Sequence, residues 1–408
     1  MSRLSLAILT ALVAGLVTGT ALAGTSVAAG AAGIASPIGK FWLDALTMTV
    51  VPLVFSLLVS GIMAAAAQAS SGRIAARALL WFAILLVAAS MVGGLVAEIL
   101  LRLAPVPDAA AALRPVVGSD PALAPATNWL ASIAPLNPVR AAADAAMIPL
   151  VGFALLFGLA ASRIEKPLRV SLNRLFEAIA QTMLRIVHWV LLVAPIGVFA
   201  LALGVGLRMG AGVAGVLAHY VLVVIVAILA TTALAYFAAL AFGRIGLVRF
   251  ARAAMPSQVI AVSTQSSLAT LPAMIEAAPS LGVSRADAGV VLPLAVSLFR
   301  AASAAANVAV VLYLAQLHHV PVDIGTFVTG ALVAAIVSVA AVGLPAQVSF
   351  FAIIAPVCIA MGVPVAMLPL LLAIETIPDL FRTLGNVTWD LAVARIAGRG
   401  TEQIGSQG

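Results

Sequence analysis

The feature that most constrains this chain is a series of long apolar runs that contain almost no charge. Eight of them are long enough to cross a bilayer as one α-helix. Because 64% of the 408 residues are apolar and only 9% are charged, a soluble core of this size is implausible. The sequence therefore predicts an all-α membrane protein, with spans at about 5–28, 40–69, 74–103, 128–162, 175–206, 212–243, 286–315 and 365–394.

Two further apolar stretches, about 253–280 and 326–360, are interrupted by small polar residues and by Pro272 and Pro345 respectively. Irregular backbone at membrane depth must be covered by protein or water, so these stretches are poor single spans. We interpret each as a re-entrant helical hairpin. The first 23 residues also resemble a secretory signal peptide, but another spanning segment follows at once, so we count them as the first membrane helix.

Basic loop residues indicate an orientation. Short cytoplasmic loops of membrane proteins are normally rich in Lys and Arg. If the N-terminus is cytoplasmic and both interrupted stretches are re-entrant hairpins, only Lys40, Arg114 and Arg208 of these basic residues lie outside. This predicts a multi-pass membrane protein with both termini, and a tail at 397–408, in the cytoplasm. We expect the membrane to be the bacterial inner membrane. The predicted inside residues are Arg3, Arg73, Arg77, Arg163, Lys166, Arg169, Arg174, Arg244, Arg249, Arg252, Arg285, Arg395 and Arg399.

Several functional classes find little support in the sequence. The formal charge of +7 is explained by the loop residues, so we expect no nucleic-acid partner. Cys358 is the only cysteine, which rules out an internal disulfide, and no zinc site is suggested. The serine run at 263–267 has no G-x-S-x-G motif or partner histidine, so we expect neither an enzyme nor a cofactor. None of the histidines has metal-site spacing, although the last two are candidates for pH sensing in an external loop: His188, His219, His318 and His319.

The last apolar run concentrates charge in the segment IETIPDLFRTLGNVTWD at 374–390. Successive helical residues turn by about 100°, so five polar groups share a stripe roughly 80° wide. Each charge at mid-bilayer costs about 2.5–3.5 kcal/mol on insertion scales, which packing alone does not require. Pro378 has no backbone N–H, so a carbonyl in the preceding turn loses its usual hydrogen-bond donor. The stripe consists of Glu375, Asp379, Arg382, Asn386 and Asp390.

Two interpretations of this polar stripe remain open. It is either a binding site for a small anionic solute or an internal ion-pair network, with Arg382 between Glu375 and Asp379, that fixes helix register. Replacing buried ion pairs by apolar residues is often stabilising, which favours the binding site. A binding site predicts a carrier, with a passive anion channel or a sensor that does not cycle as alternatives.

The pattern E-x3-D-x2-R-T-x2-N-x-T-x-D, which begins at Glu375, resembles the last helix of the dicarboxylate/amino acid:cation symporter family, where the first letter is Asp. The resemblance extends over nearly the whole chain. VVPLVFSLLVSGI at 50–62, APIGVFAL at 194–201, STQSSLATLP at 263–272 and VLPLAVS at 291–297 look like the family's second helix, fifth helix, first hairpin and entry to the seventh helix.

The resemblance implies an inverted-repeat, elevator-type fold that assembles as a homotrimer. Its scaffold part would comprise about 1–69 and 128–206, and its mobile transport part about 74–103 and 212–396. It also implies a secondary active transporter of aspartate or glutamate, with a C4-dicarboxylate carrier or exchanger as the alternative.

The resemblance also implies residue roles. Arg382 would clamp the substrate's side-chain carboxylate, which suits a planar guanidinium. Asp379 would accept its amino group, and Asp390 would be a sodium ligand. Gly343 and Pro345 would belong to the gate at the tip of the second hairpin, where the sequence G-L-P-A-Q-V lacks two family glycines and predicts a stiffer gate. The remaining substrate-binding candidates, of which the first two face the α-carboxylate, are Ser266, Ser267, Thr383, Asn386 and Ser303.

The chain departs from the family where sodium would bind. The family motif N-M-D-G-T reads F-R-A-A-S at 299–303, and Phe82, Leu85 and Leu86 replace family hydroxyl-bearing residues of the third helix. Sodium prefers oxygen ligands, so we expect the site shared by the third and seventh helices to be absent.

Relative to that motif, one carboxylate is lost at Ala301 and one guanidinium is gained at Arg300. Our main hypothesis is that Arg300 lies opposite Asp390 or Asp379 and replaces bound sodium. Cation-site candidates are therefore Arg300, Asp390, Asn386 and Glu375. Transport would then depend weakly on sodium, with coupling to a proton through Glu375 or Asp379, or with exchange. Arg300 as a second substrate clamp, or as a snorkelling or structural residue, remains an alternative.

Overall fold

The computed structural model describes residues 3–70, 72–107, 136–209, 212–339 and 346–399, and within these ranges all regular secondary structure is helical. Five helical stretches of the described chain are long and apolar enough to cross a membrane: Ala28–Ala69, Arg73–Leu103, Lys166–Leu192, Val213–Ala241 and Arg285–Leu317. The all-α class is thereby confirmed for the described residues, and these stretches are consistent with a multi-pass membrane protein. The number of eight crossings stays a prediction.

The described residues form seventeen α-helices and one short 3₁₀ helix, Ala278–Leu281. In chain order they are α1 Arg3–Leu22, α2 Ala28–Thr47, α3 Val50–Ala69, α4 Arg73–Leu103, α5 Pro138–Ala143, α6 Met147–Ala161, α7 Lys166–Leu192, α8 Ala194–Met209, α9 Val213–Ala241, α10 Leu247–Thr264, α11 Ser267–Ala277, α12 Arg285–Leu298, α13 Ala301–Leu317, α14 Ile324–Val339, α15 Ala346–Ala360, α16 Leu368–Ile374 and α17 Thr376–Gly398.

Four predicted single spans, at 40–69, 128–162, 175–206 and 365–394, are wrong as single helices because each is divided. In every case the second helix carries a proline at its second or third residue. Proline lacks the N–H that would continue the hydrogen-bond ladder, and its ring crowds the carbonyl four residues earlier. The four prolines are Pro52, Pro149, Pro195 and Pro378. The first span is also shorter than predicted, since α1 ends at Leu22.

Both interrupted stretches form two helices that pack against each other, α10 with α11 and α14 with α15. The first reversal lies at Gln265, which has φ of 53°, and at Ser266, which is extended. The interruption expected at Pro272 is wrong, because this proline lies inside α11. The tip of the second pair, with the predicted gate residues Gly343 and Pro345, lies outside the described residues.

Helix α13 forms the centre of the molecule. Of the 18 most apolar consecutive residues within Arg285–Leu317, 89% are buried, compared with 22% for the corresponding residues of Lys166–Leu192. It packs against α4, α9, α14 and α17. The contact with α17 is close at Gly385, where an added Cβ would lie 2.6 Å from Ala302 Cβ and 2.7 Å from Thr232 Oγ1. All five residues of the polar stripe are buried, so the stripe faces the protein interior.

A second group of helices packs mainly within itself. Helices α1 and α2 pack on α8, while α3 packs on α6 and α7. Ile8 and Leu12 of α1 are buried, so the first apolar segment is an integral helix of the fold.

Candidate functional site

The site centres on Arg382 and Glu375, which are only 6% and 2% exposed. The break before α17 makes Glu375 the residue that precedes the helix, and Arg382 follows about two turns later. Arg382 Nη2 lies 2.6 Å from Glu375 Oε1, although no N–H is aligned with that oxygen as a hydrogen bond. Arg382 Nε and Glu375 Oε2 have no partner among the described residues. The pair compensates charge while leaving guanidinium donors unused.

Asp379 lies on the same face of α17 and is also buried. Its carboxylate is within electrostatic reach of both Arg382 and Arg300. Thr383 Oγ1 donates to the backbone carbonyl of Asp379 at 2.9 Å. Two of the predicted substrate residues are therefore brought next to Arg382, but the Thr383 hydroxyl is already occupied by its own helix.

Asn386 and Ser303 bind each other across the α17–α13 contact. Asn386 Nδ2 donates to Ser303 Oγ at 2.9 Å, and Ser303 N donates to Asn386 Oδ1 at 3.2 Å. The second bond satisfies a free N–H in the first turn of α13, which lacks a side-chain cap from Arg300. The pair holds the broken helix against α17.

The serines of the first hairpin lie at the start of α11. Ser266 Oγ accepts from Ala269 N at 3.2 Å and so caps that helix. Ser267, the first residue of α11, is partly exposed. Gln265 Nε2 donates to Thr376 O at 3.3 Å, one residue after Glu375. The hairpin tip is therefore attached to the start of α17.

The predicted span at 286–315 is wrong as a single helix, since α12 ends at Leu298 and α13 begins at Ala301. Arg300 lies in this break, without a proline to cause it, and is within electrostatic reach of Asp390 and Asp379. It forms no direct ion pair with either carboxylate among the described residues. Asp390 is 0% exposed, and neither of its carboxylate oxygens has a hydrogen-bond partner in the described chain. Arg300 thus acts electrostatically on both carboxylates without touching either.

Apolar packing fills the positions where family oxygen ligands were expected to be lost. The ring of Phe299 stacks on Phe82 with centroids 4.9 Å apart and planes 13° apart. Trp389 also lies near Phe299, with ring centroids 6.1 Å apart and planes 88° apart. Leu85, Leu86 and Ala301 are buried beside them. Within the described chain, no group of three or more His, Cys, Asp or Glu residues could hold a metal ion.

Sequence reasoning missed Tyr220 of α9. Its side chain is fully buried, its hydroxyl has no partner among the described residues, and it lies within electrostatic reach of Glu375 and Arg382. The only sequence signal was that the chain contains just three tyrosines. Also missed was Gln258 of α10, which donates to Thr388 Oγ1 at 2.8 Å and to Tyr236 Oη at 2.9 Å.

Comparison with known proteins gives consistent matches. The model of the sodium:dicarboxylate symporter family matches residues 4–399. The chain is 28% identical over 384 residues to the proton/glutamate-aspartate symporter of Escherichia coli (strain K12), covering 89% of this chain and 84% of that protein. It is 26% identical over 371 residues to the C4-dicarboxylate transport protein of Azorhizobium caulinodans, covering 89% and 82%. It is 27% identical over 375 residues to the proton/sodium-glutamate symport protein of Bacillus subtilis (strain 168), covering 88% and 84%.

Proposed function

The chain belongs to the sodium:dicarboxylate symporter family, and from this premise we propose that it is a secondary active transporter of a small anion, an acidic amino acid such as aspartate or glutamate. A C4 dicarboxylate is the alternative substrate, because relatives with both kinds of printed substrate align over most of the chain.

The observation that carries this proposal is the buried Arg382 guanidinium with unused donors. A planar guanidinium binds a carboxylate through two parallel hydrogen bonds. In the empty state Glu375 neutralises Arg382, with Nη2 and Oε1 2.6 Å apart. An incoming substrate carboxylate would displace Glu375 and form the aligned bonds that Glu375 does not form.

The same ion pair is what a purely structural network would contain, and Glu375→Gln separates the two interpretations. If Arg382 binds substrate, removal of its internal competitor tightens substrate binding or leaves it intact. If the pair only fixes helix register, the variant loses stability, and aspartate or succinate has no effect on it. Purified protein and thermal unfolding with and without each substrate distinguish these results.

Asp379 supports the amino acid over the dicarboxylate. It lies buried near Arg382, where a carboxylate can accept hydrogen bonds from an ammonium group but repels a second carboxylate. Asp379→Asn should weaken aspartate binding more than succinate binding. If the variant weakens both equally, Asp379 does not select the amino group.

We further propose that coupling to sodium is reduced. The stacked rings of Phe82 and Phe299 are apolar and offer sodium no oxygen ligands. Arg300 supplies a fixed positive charge within electrostatic reach of Asp390 and Asp379. A tethered cation in this place removes the need for a bound one. Proton coupling through Glu375 or Asp379, or substrate exchange, then drives transport.

The division of packing supports an elevator motion. Helices α4, α9, α13 and α17 pack together around the site, whereas α1 and α2 pack on α8. We propose that the first set moves as the transport part against a scaffold that holds a homotrimer together in the inner membrane. Concentrative uptake of labelled aspartate, glutamate and succinate into proteoliposomes tests transport itself. Only downhill flux would indicate a channel, and binding without flux would indicate a sensor.

A further inference from the structure

Two of the chain's three tyrosines pack against each other close to the site. Tyr220 of α9 and Tyr313 of α13 are both buried, with ring centroids 5.3 Å apart and planes 76° apart. Both lie in the half of their helices that the predicted orientation places toward the outside. Polar side chains in a membrane interior are expensive and usually functional.

Tyr313 connects this pair to a partly exposed histidine. Its hydroxyl donates to Val216 O at 2.8 Å, and His219 Nδ1 lies 3.4 Å from the same oxygen. Since the Tyr313 proton points to the carbonyl, His219 donates from Nδ1 in this arrangement. His219 lies within two turns of the start of α9, so it links the outer end of the helix to Tyr313.

Tyr220 connects the pair to the site. Its hydroxyl is buried without a partner among the described residues, an arrangement that costs stability and calls for an explanation. The titratable groups within its electrostatic reach are Glu375 and Arg382 at α17, Tyr313 on α13 and Cys358 on α15. Tyr220 therefore packs on the histidine-linked Tyr313 through its ring and lies within electrostatic reach of the ion pair.

Glu375 needs a new counterion whenever substrate binds. Its Oε2 has no partner in the described chain, and the charged side chains acting on it are Arg382 and Asp379. Once a substrate carboxylate occupies Arg382, Glu375 becomes an uncompensated buried carboxylate near Asp379. Such a charge is costly in a low dielectric, and a bound proton removes it.

We propose that His219, Tyr313 and Tyr220 form a relay that carries a proton from the outer side to Glu375 as substrate displaces it from Arg382. This inference rests on the proposed function. His219 takes a proton from water at Nε2 and releases one from Nδ1 to Tyr313 Oη. Tyr313 turns its own proton from Val216 O to Tyr220 Oη, which has no partner among the described residues. Tyr220 releases its proton to Glu375 Oε2 once that carboxylate has left Arg382 and turned toward it. Each relay residue gains and loses one proton, and Glu375 gains one.

The test follows proton uptake when L-aspartate or succinate binds to the purified protein in weakly buffered detergent solution with a pH indicator. We expect wild-type protein to take up about one proton per bound substrate, and Glu375→Gln to take up none. Tyr220→Phe should keep substrate affinity and proton number but slow proton uptake at least tenfold. Tyr236→Phe is the matched control and should behave like wild type, because Tyr236 bonds Gln258 away from this path.

The outcomes are separable. Absence of substrate binding to wild-type protein would contradict the proposed function itself. Substrate binding with equally fast proton uptake in Tyr220→Phe and wild type, or continued proton uptake in Glu375→Gln, would overturn the relay. If Tyr220→Phe does not purify as folded protein, His219→Gln tests the other end, with the same slowing expected and the same unchanged rate contradicting it.

Discussion

Arg382 Nη2 lies 2.6 Å from Glu375 Oε1 inside the protein, at the point where α17 begins. The two residues are seven positions apart, and the break caused by Pro378 brings the acidic residue to the head of the helix that carries the basic one. An ion pair in which the guanidinium keeps unused donors is suited to exchanging one carboxylate for another.

Arg382→Lys should weaken substrate binding about ten- to hundredfold. Lysine keeps the charge but loses the planar fork, and a charge-assisted hydrogen bond contributes about 1.5–3 kcal/mol. Equilibrium binding of labelled aspartate measures the effect. Arg102→Lys is the matched control, because Arg102 forms an exposed pair with Glu98 at 2.8 Å and should leave affinity unchanged. Equal affinity in the Arg382→Lys variant would remove Arg382 from the site.

Arg300→Met should lower thermal stability in sodium-free buffer, because Asp390 then loses its facing positive charge. Breaking a direct buried pair costs about 3–5 kcal/mol, and we expect a smaller loss here because the groups do not touch. Sodium should raise the unfolding temperature of this variant but not that of wild type. Adding Asp390→Asn should recover stability without sodium. A variant that is as stable as wild type and indifferent to sodium would refute the tethered-cation hypothesis.

Gly385→Ala should destabilise the protein, since the new methyl would lie 2.6 Å from Ala302 Cβ and 2.7 Å from Thr232 Oγ1. Overpacking of this kind costs about 1–3 kcal/mol. Gly215→Ala on α9 is the control, with no atom within 4 Å of the added methyl, and should be neutral or slightly stabilising. Thermal unfolding in detergent compares the two. Equal unfolding temperatures would mean that α17 does not approach α13 and α9 this closely.

His318, just beyond the end of α13, should make stability depend on pH. Burial lowers the pKa of its ring to about 4 from the usual 6.5, and neither ring nitrogen has a partner among the described residues. The folded state therefore favours the neutral ring, so its contribution is complete above about pH 6.5 and is lost as pH falls toward 4. The unfolding temperature of His318→Phe should fall less steeply over this range than that of wild type. His319→Gln, an exposed neighbour, should follow wild type, and identical slopes for His318→Phe and wild type would contradict the assignment.

Helical periodicity alone was sufficient to predict that Glu375, Asp379, Arg382, Asn386 and Asp390 share one face. The division of spans was not predicted, because Pro52, Pro149 and Pro195 are equally compatible with a continuous apolar run until the carbonyls before them are considered. The Asn386–Ser303 pair joins residues 83 positions apart, and such a contact depends on tertiary packing. Tyr220 escaped notice for the same reason, since only the fold brings it near Glu375.

We propose that a fixed arginine charge has taken over the role of sodium at an anion site built around Arg382. Uptake of labelled aspartate into sealed proteoliposomes under an inward proton gradient tests it most directly, with choline replacing sodium on both sides. We expect concentrative uptake that persists in choline and, at low aspartate concentration, falls at least tenfold in Arg382→Lys. Uptake that collapses when sodium is withdrawn would contradict it.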